Sequence, residues 1–86
     1  MPVVSSFYGI VIFFFFDDHN PPHFHAKYGE FEALIDIQTF GIIRGYLPSK
    51  AHSLVVEWAA LHKEELVKDW ELAKANKQPE KIEPLK

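Results

Sequence analysis

The sequence predicts a small α+β domain in which an antiparallel sheet of about four strands, a meander, is followed by one long C-terminal helix packed on one face. Two patterns lead to this fold class. Apolar and polar residues alternate with a period of two between about positions 23 and 47, which is typical of half-buried strands. From Pro48 onward the apolar period becomes 3.6, which is typical of an amphipathic helix. The length of 86 residues allows a single domain, residues 1–86, around one core.

The first predicted strand, residues 7–16, ends in four consecutive phenylalanines and is apolar on both sides. Strands of this kind are normally covered on both faces, but the chain supplies only one predicted helix. We therefore expect a homo-oligomer or a small protein partner to cover the second face. The stretch is too short to span a bilayer, so no membrane association is expected.

The second and third predicted strands, residues 23–28 and 31–37, alternate strictly and form a hairpin. A two-residue turn at positions 29–30 supplies the glycine that such hairpins favour. The resulting register pairs apolar residues on the core face and places His23 opposite Asp36 on the polar face.

A fourth predicted strand, residues 42–47, follows a three-residue turn at positions 39–41. Continuing the alternation across this turn places Asp36 opposite Arg44. A single register therefore lines up His23, Asp36 and Arg44 across three strands, on the sheet face that the helix leaves open.

The predicted helix begins at Pro48 and continues to about Ala75, and Pro79 forbids its simple continuation. We expect residues 76–86 to form an extended C-terminal tail. The apolar stripe of the helix comprises Leu54, Val55, Trp58, Leu61, Leu66, Trp70 and Ala73.

Composition excludes several classes of protein. Apolar residues make up 48% of the chain and aromatic residues 15%, so disorder is not expected. Cysteine is absent, which excludes disulfides, thiolate metal sites and a cysteine nucleophile and fits a cytoplasmic location. The net charge of −3 offers no basic footprint, so nucleic acid could bind only locally.

The histidine-rich segment before and within the second strand is the candidate site. Imidazoles two residues apart on a strand project to the same side, so His23 and His25 are neighbours, and His19 can converge on them. With Asp17 or Asp18 nearby, the three histidines could hold Zn²⁺ or another divalent metal ion.

A second hypothesis assigns the same histidine-rich segment a function without a metal ion. His23 then acts as an acid or base, Asp36 orients its ring, and Arg44 holds an anion such as phosphate. This arrangement is typical of a small ribonuclease or phosphodiesterase. The candidate catalytic residues are His23, His25, Asp36 and Arg44, and the candidate binding residues are His19, Lys27 and Tyr46. A third hypothesis is that the histidines are ordinary structural residues on a polar sheet face.

The Pro-Pro-His-Phe-His element at residues 21–25 resembles that of a family of small prokaryotic proteins, the domain of unknown function 4160. The resemblance covers nearly the whole chain, through residues 7–12, 18–19, 21–25, 28–30, 57–58, 70–73 and 82–85. Members of that family are often encoded beside another small domain in an arrangement similar to toxin–antitoxin pairs. The resemblance therefore implies a protein partner and permits a toxin-like nuclease role.

Overall fold

The computed structural model describes residues 2–86. The chain forms an antiparallel five-stranded sheet followed by two helices. The strands lie in chain order, β1-β2-β3-β4-β5. The elements are β1 (Val3–Phe7), β2 (Ile10–Phe13), β3 (His23–Tyr28), β4 (Phe31–Asp36), β5 (Ile42–Gly45), α1 (Ser49–Leu61) and α2 (Lys63–Lys74). The predicted α+β class and antiparallel sheet are confirmed. The predicted number of elements is wrong, because the sheet has one more strand and the helical region is divided in two.

The additional strand arises because the predicted first strand is part of a hairpin. β1 and β2 are joined by a tight turn at Tyr8 and Gly9, whose φ angles are 51° and 80°. Two-residue hairpin turns require positive φ at both central positions when they are of type I′. Tyrosine is uncommon there, so the apolar sequence around it looked like one continuous strand.

The register between β3 and β4 is as predicted. Tyr28 pairs with Phe31, and His23 pairs with Asp36 at the far end of the hairpin. The turn contains Gly29 with a φ of 59°. Local alternation and a local turn are therefore enough to align these two strands.

The register between β4 and β5 differs from the predicted one. Arg44 pairs with Leu34 instead of Asp36, because the connection between β4 and β5, residues 37–41, is longer than predicted and Ile42 already pairs with Ile35. Gly45, with a φ of 88°, lies so close to β4 that an added Cβ would overlap the carbonyl oxygen of Glu32. Only glycine permits this approach of the two backbones.

The helical region is interrupted at His62, whose φ and ψ are −127° and 28°. Its backbone N–H donates to the carbonyl oxygen of Ala59, three residues back, at 3.1 Å. The interruption removes Leu61 from the predicted apolar stripe, and its side chain is 68% exposed. No helix among residues 2–86 is long and apolar enough to cross a membrane.

The core lies between one sheet face and the helices. Trp58 of α1 is fully buried, and its ring packs against Phe7 and Phe24 at centroid distances of 5.3 and 5.9 Å. The segment after α2 contains no strand or helix beyond Asn76, yet it packs on the domain. Its Ile82 is buried and donates a backbone hydrogen bond to Val4 of the edge strand β1 at 2.8 Å.

Candidate functional site

His23 and His25 of β3 project to the side of the strand opposite Phe24, which packs on α1. We expected an exposed polar row on this face, but both imidazoles are only 4% exposed. The ring of His25 stacks on Phe13 at 5.0 Å and meets the edge of Phe15 at 4.5 Å. These contacts place the histidines in an aromatic enclosure rather than on an open surface.

Two further contacts complete the enclosure on the side of α2. The ring of Trp70 lies 5.0 Å from that of His23. The backbone N–H of Asp17 donates to the carbonyl oxygen of Ala73 at 3.0 Å, which ties the loop between β2 and β3 to the end of α2. This hydrogen bond therefore holds the loop in place directly before Asp18, the next residue of the site.

That residue is Asp18, the acidic member of the site. Its Oδ2 atom lies 2.9 Å from Nε2 of His23 and 3.3 Å from Nε2 of His25. Its Oδ1 atom accepts a hydrogen bond from the backbone N–H of His19 at 2.9 Å. One carboxylate oxygen therefore contacts the Nε2 atom of both imidazoles.

The second ring nitrogen of His23 decides what can lie between the ring and Asp18. Nδ1 is 2.7 Å from the carbonyl oxygen of Pro21, which can only accept a hydrogen bond. Nδ1 must therefore carry a proton. A neutral imidazole has one N–H, so Nε2 then presents a lone pair to the Asp18 carboxylate. Either a second proton or a metal ion must separate these two acceptors.

The surroundings of His25 differ from those of His23 at the second ring nitrogen. Nδ1 is buried and has no hydrogen-bond partner within residues 2–86. The nearest carboxylate oxygen, Oε2 of Glu32, is 3.8 Å away, beyond direct hydrogen bonding. Burial lowers the pKa of His25, although the hydrogen bond to Asp18 opposes this effect. The neutral imidazole, the form that binds metals, is thereby favoured.

The carboxyl group of Asp18 is kept ionised by its neighbours. Burial by itself would raise the pKa of Asp18, but hydrogen bonds from the His19 backbone and from the rings of His25 and His23 outweigh burial and lower it. The carboxylate of Asp18 and the neutral imidazole of His25 are the forms of these two groups that ligate divalent cations.

The three ligand atoms lie within 4.8 Å of one another. Zinc ions with catalytic roles are typically bound by three protein ligands, and two histidines with one carboxylate also bind iron(II). Metal-bound histidines usually donate their other N–H to a backbone carbonyl or a carboxylate. The carbonyl oxygen of Pro21 lies in that position for His23, and the three ligand atoms are of the kinds that bind divalent transition metals. We refer to Asp18, His23 and His25 as the metal cluster.

The structure distributes the other predicted site residues differently. His19 is exposed, and Asp18 takes the third place that we expected His19 to have. Asp36 is opposite His23, but its Oδ1 accepts backbone N–H bonds from Gln38 and Thr39 at 2.7 and 3.1 Å. It therefore stabilises the turn after β4 instead of orienting the imidazole.

The remaining predicted site residues are Lys27, Tyr46 and Arg44. Lys27 is exposed and pairs across the strands with Glu32. Tyr46 is 59% exposed, and its ring packs on Phe31 at 5.4 Å. Arg44 lines a cleft of about 200 Å³ together with Asp18, His19, Asn20, Pro21, His23, Leu34 and Ile43.

The sequence pattern indicated Asp18 only as one of two carboxylates near the three histidines. Its position, five residues before His23, matches no standard metal motif, and a loop with two prolines separates the two residues. Its role depends on the loop returning to β3, which no local pattern indicates.

A comparison with protein families identifies the family of the chain. The model of the family described as domain of unknown function (DUF4160) matches residues 9–71, a range that contains the whole metal cluster and Arg44. No curated protein and no solved structure matches the chain. Because the match covers most of the sequence, the chain belongs to the DUF4160 family.

Proposed function

We propose that this protein binds a divalent transition metal ion through Asp18, His23 and His25 and uses it as a hydrolytic centre. The observation that carries the proposal is the convergence of one carboxylate oxygen and two Nε2 atoms, all within 4.8 Å of one another, in a buried enclosure.

The hydrogen-bond acceptors around the two rings favour a metal ion over a proton. His23 has an acceptor on its Nδ1 side, the carbonyl oxygen of Pro21 at 2.7 Å, whereas Nδ1 of His25 has no hydrogen-bond partner within residues 2–86. A proton on Nδ1 of His23 directs the Nε2 lone pair of this ring towards Asp18. A cation at that point satisfies all three groups at once, whereas a single proton satisfies one pair.

The number of ligands favours chemistry over a purely structural role. Structural zinc sites are usually closed by four protein ligands, while catalytic sites keep a position for water. A bound divalent ion supplies an acidified water, whose pKa falls to about 7 in zinc enzymes. The rings of Phe13, Phe15 and Trp70 shield the imidazoles from solvent and hold their orientation.

Zinc binding tests this proposal. We expect the metal-free protein to bind one equivalent of Zn²⁺ in isothermal titration calorimetry, with a rise in melting temperature. Asp18→Asn and His25→Ala should weaken binding by more than about 100-fold, beyond the usual cost of losing an outer-shell partner. His62→Ala is the matched control, because His62 lies outside the metal cluster, beside Glu65 of α2. Its affinity should be unchanged.

Folding is checked separately, since His23 and His25 are buried. Asp18→Asn keeps the shape of a partly exposed side chain, so its circular dichroism should match that of the parent protein. A folded Asp18→Asn protein that binds Zn²⁺ as tightly as the parent would contradict the proposal. Binding lost in His19→Ala but retained in Asp18→Asn would instead favour the three-histidine site.

A metal-free histidine site is the second candidate. It is supported by the position of His23, held between the carbonyl oxygen of Pro21 and a carboxylate oxygen of Asp18 at 2.9 Å. An imidazole held in this way can act as an acid or base in a ribonuclease-like reaction. Cleavage of RNA that persists in excess chelator would favour this candidate over the metal centre.

We also propose that the protein acts as a cytoplasmic module with a protein partner, in an arrangement like a toxin–antitoxin pair. Support comes from the edge strand β5, beside which Ile43 and Tyr46 are 45% and 59% exposed. An exposed sheet edge with apolar side chains can pair with another strand. The simplest partner is a second copy, because a two-fold axis allows the same edge to pair with itself.

This pairing predicts a dimer by sedimentation at micromolar concentration. Ile43→Lys should shift the protein to monomer, since charged residues on an edge strand oppose pairing. Leu61→Lys is the control, because Leu61 is also exposed but lies at the end of α1. A parent protein that sediments as a monomer would exclude self-pairing through β5.

A further inference from the structure

The cleft of about 200 Å³ beside the metal cluster has one cationic side chain of permanent charge, Arg44. Its walls include Asp18 and His23 of the metal cluster and the apolar side chains of Leu34 and Ile43. The cleft therefore joins a metal-binding centre, a guanidinium group and an apolar surface.

Arg44 is aligned with the metal cluster by the sheet itself. His25 pairs with Leu34, and Leu34 pairs with Arg44, so the three residues form one row across β3, β4 and β5. Strands are spaced by about 4.8 Å, which places the backbone of Arg44 about 10 Å from that of His25. An arginine side chain can span most of this distance.

The guanidinium group has no protein partner within residues 2–86. No salt bridge or side-chain hydrogen bond involves Arg44, although two carboxylates lie on neighbouring positions of β4. Asp36 is engaged by the turn after β4, and Glu32 lies beside Nδ1 of His25. The longer connection between β4 and β5 moves Arg44 away from Asp36 and leaves it at the cleft.

We propose, building on the metal centre proposed above, that the substrate is a phosphodiester whose non-bridging oxygens are bound by Arg44. The planar guanidinium matches the geometry of phosphate oxygens and can donate two parallel hydrogen bonds. A diester carries an organic group on each of two ester oxygens, and the apolar wall of the cleft suits such a group beside the guanidinium. Leu34 and Ile43 contact the organic part of the ester.

The reaction is hydrolysis with water as the second reactant. The water oxygen forms a bond to phosphorus while the bond from phosphorus to one ester oxygen breaks. A proton from the water goes to the departing oxygen, so the products are an alcohol and a phosphate monoester.

The test uses the full chain loaded with Zn²⁺ or Mn²⁺ and bis(p-nitrophenyl) phosphate as substrate. Arg44→Gln should raise KM by about 10- to 100-fold, the usual effect of losing one charge-assisted hydrogen-bonding partner. Arg44→Lys should restore part of the loss, because it keeps the charge without the planar fork. Lys50→Gln is the control, since Lys50 is an exposed cation on α1.

The outcomes separate this inference from the metal centre. Zinc affinity is measured on every variant, and Arg44→Gln should bind Zn²⁺ like the parent protein. Metal binding without hydrolysis of the diester, or hydrolysis that Arg44→Gln leaves unchanged, would overturn the phosphodiester inference alone. Faster turnover of p-nitrophenyl phosphate than of the diester would overturn the choice of a diester as the substrate. Failure to bind metal would overturn the metal centre first, and this inference with it.

Discussion

Trp58→Ala is expected to lower the free energy of unfolding by about 3–5 kcal/mol, the usual cost of removing a buried tryptophan side chain. Trp58 is fully buried between the rings of Phe7 and Phe24. Its Nε1–H also donates to the carbonyl oxygen of Glu83 at 2.8 Å, which attaches the C-terminal segment to α1. Because domains of this size are stable by about 5–15 kcal/mol, the loss is a large fraction of the total.

Urea denaturation followed by circular dichroism measures this effect. Trp58→Phe should be intermediate, because it keeps an aromatic ring but loses the hydrogen bond to Glu83. Leu61→Ala is the matched control on the same helix, and with a 68% exposed side chain it should change stability by less than about 0.5 kcal/mol. Equal losses in Trp58→Ala and Leu61→Ala would mean that Trp58 is not at the centre of the core.

Asp69→Asn is expected to stabilise the protein by about 1–3 kcal/mol above neutral pH. Asp69 is 1% exposed on α2, and its Oδ2 atom has no hydrogen-bond partner within residues 2–86. Burial raises the pKa of Asp69 to about 6, although its Oδ1 accepts the backbone N–H of Glu80 at 2.8 Å. Asparagine keeps an oxygen for Glu80 and removes the buried charge.

The pH dependence follows from the direction of this pKa shift. The native state binds the Asp69 proton more tightly than the unfolded chain, whose ordinary pKa is 3.8. The stabilising contribution is therefore complete below about pH 4 and is lost as the pH rises to about 6. The difference between the parent protein and Asp69→Asn should grow over this window and then stay constant.

Melting temperatures measured from pH 4 to pH 8 check this prediction. Glu71→Gln is the control, because it removes an exposed carboxylate from the same helix. Its effect should be small at every pH. A constant difference between the parent protein and Asp69→Asn across the range would show that the buried carboxyl group does not titrate in this window.

The sequence by itself determined the α+β class and the β3–β4 hairpin. Both depend on local information, because strict alternation assigns each side chain to one face and a turn containing Gly29 sets the register. The change of period at Pro48 likewise located the helical region, since an apolar stripe with period 3.6 can be buried only as a helix.

Only the tertiary structure decided the composition of the site. The two histidines were identified from the sequence, but their burial depends on Phe15 and Trp70, which approach from other segments. Asp18 replaces Asp36 as the carboxylate partner because the loop after β2 is held against α2. Contacts between distant segments produce no periodic pattern in a single sequence. Neither the burial of the histidines nor their contact with Asp18 could therefore be predicted.

The position of Arg44 has the same kind of cause. Alternation across a three-residue turn predicted a pair with Asp36, but the connection between β4 and β5 spans residues 37–41, so that Ile42 pairs with Ile35 and Arg44 pairs with Leu34. Alternation assigns side chains to a face, but the length of the connection fixes the register. The sequence therefore determined which residues can do chemistry, and the packing of the backbone decided which of them meet.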